Sequence, residues 1–118
     1  MTRTQKKAHD EPYYDLFNDW SLIVSSFQTQ YGIRLSTELP TMGWSEFSYL
    51  LVGLSGDTPL GRIVAIRAEN DPEAVRNMTA SQKQIRNEWR RKMAMQKPKE
   101  EVEKAYEGFK NAFVQLAK

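Results

Sequence analysis

The sequence predicts an all-α protein, a small bundle of four to six helices with little or no sheet. Two observations carry that expectation. Apolar residues recur at steps of three and four along most of the 118-residue chain, the period of one buried helix face. Helix-start signals then open successive segments: Thr58-Pro59, Asp71-Pro72 and the Thr79/Gln82 pair, in which a side chain caps and proline takes the first helical position without losing a needed N–H.

Residues 1–12 are polar, aperiodic and basic, and are expected to form a disordered arm. The first helix is expected over 13–31, with Leu16, Trp20, Ile23, Phe27 and Tyr31 as its stripe and Gly32 as a left-handed stop. Ile33 and Leu35 have the alternate spacing of an extended connector, and Pro40 should keep Leu39 out of the helical region. Thr41 is the expected N-cap of a second helix over 42–54, in which Trp44, Phe47, Leu51 and Leu54 share a face. Ser55-Gly56-Asp57 reads as a turn. Thr58 and Pro59 start a short third helix bearing Leu60, Ile63, Val64 and Arg67, although Ile63-Val64-Ala65-Ile66 also suits a strand. Asp71 and Pro72 open a turn or short helix to Met78. Thr79 and Gln82 open the next helix as a capping box. Its inward face is Ile85 and Trp89, with Met93 extending it, and its outward face is Lys83, Arg86, Arg90, Arg91 and Lys92. Gln96-Lys97-Pro98 should break or kink it. The last segment begins with Glu100, Glu101 and Glu103, suited to a positive helix N-terminus. It carries a narrow seam of Val102, Tyr106, Phe109, Phe113 and Leu116. The domain reading is therefore a basic arm over 1–12, a helical core over 13–97 and an amphipathic C-terminal helix over 98–118.

Composition excludes several functions. The chain has no cysteine, so thiol nucleophiles, zinc-thiolate sites and disulfides are absent, which fits a reducing compartment. No apolar run approaches the ~18 residues of a membrane span, and no apolar stretch follows the N-terminal basic residues as a signal peptide requires. The single histidine, His9, lies in the arm, which removes His-based acid–base chemistry and His-ligated metals from the folded part. A purely carboxylate site is left open by Asp15 and Asp19, four apart, and by Glu46; two acids at that spacing read more simply as a solvated face. Gly53, Gly56 and Gly61 lack the Lys-Ser/Thr of a phosphate-binding loop. Nothing marks the sequence as an enzyme, and nothing calls for a cofactor.

Charge is unevenly placed. Three bases give residues 1–9 a net +3. Residues 10–60 hold seven acids against Arg34 alone, a net −6. Residues 61–97 hold nine bases against four acids, a net +5, and residues 98–118 balance at four each. Such bipolarity steers partners or drives self-association, or it lets the two halves neutralise each other in the fold. The basic 86–97 stretch could meet a phosphate backbone with Trp89 stacking on a base. Trp89 is in phase with Ile85, however, and Glu88 interrupts the patch. Docking of this face on the acidic first half or on another protein is the preferred reading, and nucleic acid is disfavoured. Two surfaces stand as partner candidates. The first is the C-terminal seam, with Tyr106, Phe109, Phe113 and Leu116, which either packs on its own domain or docks on a partner helix. The second is the basic face, with Arg86, Arg90 and Arg91.

The segment from Trp20 through Trp89 resembles the C-terminal half of a small family encoded in the tail-morphogenesis region of phages and prophages of Gram-positive bacteria. The matching words are Ile23-x3-Phe27-x3-Tyr31-Gly32-Ile33-x-Leu35, Trp44-x2-Phe47-x3-Leu51-x-Gly53-Leu54, Ile63-x3-Arg67, and a charged helix around Trp89 that includes Gln84, Arg91 and Lys92. The resemblance covers residues 13–95. It implies a non-enzymatic tail assembly chaperone of the host bacterial cytoplasm, which coats the tape measure protein, recruits the major tail protein and leaves before the tail is complete. Family members commonly carry a preceding N-terminal domain, so the resemblance implies either the downstream half of a pair made by frameshifting, with an upstream partner domain, or an independent short protein. A small helical DNA-binding regulator and a permanent structural tail component are the alternatives.

Overall fold

The computed structural model describes residues 13–95 and 99–116, with the side chains of 99–102 and 114–116 excepted. The disorder expected for 1–12, the break expected at 96–98 and the side chains of Val102 and Leu116 lie outside the described residues. Seven helices and a 3-10 turn follow in order: α1 (Trp20–Tyr31), α2 (Leu35–Glu38), the 3-10 turn Leu39–Thr41, α3 (Trp44–Val52), α4 (Pro59–Ala68), α5 (Pro72–Arg76), α6 (Ala80–Ala94) and α7 (Lys99–Leu116). No strand occurs among the described residues, so the all-α expectation holds. Among the described residues the number of helices exceeds the expected four to six because the connector coils into α2; the turn or short helix expected after Asp71 is the short helix α5.

Three boundaries differ from the sequence reading. The first helix begins at Trp20 rather than near Tyr13. The Asp15 carboxylate accepts from the backbone N–H groups of Phe17 and Asn18 at 2.8 and 3.0 Å, and the Asp19 carboxylate accepts from the Asp15 N–H at 2.8 Å. These bonds hold 15–19 as a separate turn in competition with a continuous helix. The connector is extended only as far as Arg34: Leu35 is buried within α2, and Leu39 is helical despite preceding Pro40. The second helix is capped by Gly43, not Thr41. The Thr41 hydroxyl instead donates to the Glu38 carbonyl at 3.1 Å, closing the 3-10 turn, and Met42 drops into the core in extended conformation before α3 begins.

Other local signals are realised. Gly32 takes φ 71° at the end of α1, the left-handed conformation that favours glycine. Thr58 caps α4, accepting from the Gly61 N–H, and Asp71 caps α5. Thr79 and Gln82 form both bonds of the capping box. Residues 63–66 are helical, not a strand. Gly61 is required by packing: a Cβ there would collide with the Ser55 carbonyl oxygen and sit 2.8 Å from Gly56 Cα.

The core joins Leu16, Ile23, Phe27, Leu35, Met42, Phe47, Leu51, Leu60 and Phe113. α4 packs against both α1 and α6, α1 meets α2 and α3, and α7 lies on α3 and the 3-10 turn. Phe27 and Phe47 stack at 5.3 Å between centroids, both fully buried. The end of α1 is tied to the end of α3 by polar bonds: the Tyr31 hydroxyl donates to the Leu50 carbonyl at 2.6 Å, and Gln30 bridges Gly53 and Ser55.

Candidate partner-binding surfaces

Five aromatic residues before α4 form a seat for α7. Phe17 and Trp20 come from the turn and start of α1, Trp44 and Phe47 from α3, and Tyr14 lines the near end. Into it α7 delivers Tyr106, Phe109 and Phe113, spaced three and four apart on one helix face. Phe113 is 3% exposed and lies 4.7 Å from Phe47 and 5.5 Å from Trp44. Phe109 meets Phe17 edge-on at 5.1 Å and Trp20 at 5.8 Å, and Tyr106 meets Trp44 edge-on at 5.6 Å. Edge-to-face pairs at these distances contribute beyond their buried area. Of the two sequence readings, these three side chains follow the first and pack on their own domain. Burial and the neighbouring Tyr106 push the Tyr14 phenol up to about 12.

The basic candidates divide. Arg86 was expected to face outward. It is half-buried, and its Nε donates to the Glu69 carbonyl at 2.8 Å, linking α6 to the end of α4. Arg90 and Arg91 are exposed. Trp89 is 6% exposed, with the Arg67 guanidinium 4.4 Å and the Lys92 ammonium 5.3 Å from its ring. This cation–π packing covers the indole that base stacking would need.

Asp15 and Asp19 do not form a plain solvated face, since both are engaged by bases from the second half of the chain. Asp19 receives both terminal nitrogens of Arg67, at 2.9 and 3.2 Å. The same Arg67 Nη1 also donates to the Tyr13 carbonyl at 2.9 Å. Asp15 pairs with Lys92 at 3.2 Å. Burial raises the Asp15 carboxyl, but the Asn18 and Phe17 N–H groups and the Lys92 ammonium together outweigh it and hold the group below its ordinary 3.8. Beside these pairs a cleft of about 260 Å³ opens between α1, α4 and α6, floored by Leu22, Ile63, Ile85 and Trp89. Sequence reading did not single out the Asp19–Arg67–Trp89 stack. The signal was present, because Arg67 falls in the same helical phase as Leu60, Ile63 and Val64, where an exposed arginine has no place.

Two large apolar side chains stand out on the outer face of α3: Tyr49 is 79% and Val52 69% exposed. Among the described residues no three His, Cys, Asp or Glu side chains group as metal ligands, and no helix is long and apolar enough to cross a membrane.

These features define a small all-helical protein closed by an aromatic-seamed terminal helix. The family model described as Bacteriophage Gp15 protein matches residues 1–107, and the chain belongs to that bacteriophage family. No curated protein and no solved structure matches it.

Proposed function

We propose that the chain is a tail assembly chaperone, a non-enzymatic protein of the host bacterial cytoplasm that binds the tape measure and tail tube proteins during long-tail morphogenesis. Membership of a bacteriophage family over residues 1–107 is the observation that carries this reading, joined to the tail-region resemblance of the Trp20–Trp89 words. The geometry fits a protein-binding role. The α1–α4–α6 cleft, at about 260 Å³, is smaller than the roughly 300–1,000 Å³ usual for small-molecule sites. The free surface offers helix faces instead: Arg90 and Arg91 on α6, and Tyr49 with Val52 on α3. The DNA-binding alternative loses support from the covered Trp89 and the engaged Arg86 and Lys92.

Co-expression with the tape measure and major tail proteins of the same phage, followed by affinity purification and light scattering, tests the proposal. The expected result is a complex that persists at moderate salt and weakens in an Arg90→Glu/Arg91→Glu variant. A chain that elutes alone as a monomer and instead binds duplex DNA with a steep salt dependence would replace the proposal with the regulator reading.

A further inference from the structure

We infer that two copies of this chain dock head to tail, the outer face of α3 on one copy entering the α1–α4–α6 cleft of the next with Tyr49 as its knob. Both halves of the contact are open on the fold. Tyr49 is the most exposed large apolar side chain among the described residues, at 79%, and Val52 beside it is 69% exposed. With Ser45 they follow steps of four and three, one stripe on the side of α3 opposite the buried Phe47 and Leu51. A tyrosine joins an apolar ring to a polar tip, which suits a contact that is dry in the middle and wet at its edge.

The cleft is the complementary shape. At about 260 Å³ it falls short of the usual small-molecule site. It exceeds the roughly 150 Å³ of a cavity that takes benzene, so one tyrosine side chain fits. Its floor, Leu22, Ile63, Ile85 and Trp89, is apolar, and the polar side chains of its lining, Asn18, Glu88 and Lys92, can bond a phenol. Charge complements shape. Glu46 lies three positions before Tyr49 on α3, and Arg91 three positions after Glu88 on α6. Both are exposed, and neither has an ion-pair partner among the described residues. Arg67 and Lys92 of the lining, by contrast, are held by Asp19 and Asp15. Seating Tyr49 in the cleft gives Glu46 and Arg91 opposite charges to meet.

Knob and socket lie on different elements, so the contact is heterologous. Each added copy leaves one knob and one socket open, and the assembly grows as a chain unless its rotation closes a ring. One aromatic anchor with its flanks makes a small interface, so the association is weak, in the micromolar to millimolar range.

Sedimentation equilibrium of the purified chain alone, from micromolar to millimolar concentration, tests the inference and involves no client. The average mass should rise with concentration. The indole N–H resonance of Trp89 should shift with it, while that of Trp20, packed on α7, stays in place. Tyr49→Ala removes the knob and Ile85→Glu spoils the socket; each should weaken association roughly tenfold or more. Arg91→Glu takes the place of Ile85→Glu should that change lose helicity by circular dichroism, and adding Glu46→Arg to it should restore association. A mixture of Tyr49→Ala with the socket variant retains one intact knob and one intact socket, and should form one-to-one pairs that grow no further. A wild-type chain that stays monomeric to millimolar concentration overturns the inference. So does association that Tyr49→Ala leaves unchanged, which would place the contact elsewhere, and so does a mixture of the two variants that fails to pair.

Discussion

At Asp19 one carboxylate accepts from the Asp15 N–H and from both ends of the Arg67 guanidinium while only 7% exposed. Removing one partner of such a pair leaves a buried charge uncompensated, at about 3–5 kcal/mol. Asp19→Ala is expected to lower unfolding stability by that order in urea titration, and adding Arg67→Met should restore part of it. A loss under ~1 kcal/mol would mean that the pair is solvated. The individual residues of the sequence were unevenly legible. Ile23, Phe27, Phe47 and Leu51 announced their burial through spacing. Asp15 and Asp19 read as a solvated face because their partners, Lys92 and Arg67, lie 77 and 48 positions away. Arg86 read as outward for the same reason, its carbonyl partner belonging to another helix.

Elements that depend on their own few residues were read well. The Gly32 stop, the Thr58 and Asp71 caps and the Thr79/Gln82 box are local chemistry and appear as expected. The 15–19 turn was missed although its bonds are local, because the Asp15 and Asp19 carboxylates compete with a continuous helix at a spacing that also suits one; the connector was missed because the burial of Leu35 and Met42 decides it. Two contacts between elements give tests. Ser26 is fully buried; its hydroxyl donates to the Leu22 carbonyl at 2.6 Å and accepts from the Leu60 N–H at 2.9 Å, joining α1 to the first turn of α4. Ser26→Ala strands that N–H and should cost about 1–3 kcal/mol, read as a lowered denaturation midpoint with unchanged slope. The second contact is α7 on Tyr14. A phenol raised from 10.0 to about 12 in the fold favours the folded state below pH 10. That contribution is lost as pH climbs toward 12, because the unfolded phenol ionises first. Ultraviolet titration should show one tyrosine still neutral near pH 11, returning toward pH 10 in the Phe109→Asp/Phe113→Asp variant. A Tyr14 titration unchanged by that variant would show that α7 does not bury it.

For the whole molecule, the electrical bipolarity of the chain is partly spent within the fold, since Asp19–Arg67 and Asp15–Lys92 both join the acidic first half to the basic second. Other charges of both signs stay exposed, among them Glu38 and Glu46 in the first half and Arg90 and Arg91 on α6. The all-α class was fully legible because period and capping repeat along the whole chain. The candidate site was legible only as an apolar seam. Spacing names the residues that must be covered, and the three-dimensional fold alone names what covers them. Membership of the bacteriophage Gp15 protein family sets the setting, and the central claim is that the chain acts in assembly and then departs. Quantitative mass spectrometry of the chain, in lysates during tail assembly and in purified finished particles, tests it most directly. The account predicts abundant chain associated with tail proteins in the lysate and none retained in the particles. A fixed stoichiometry with the tail tube protein in finished particles would contradict it and make the chain a permanent part of the tail.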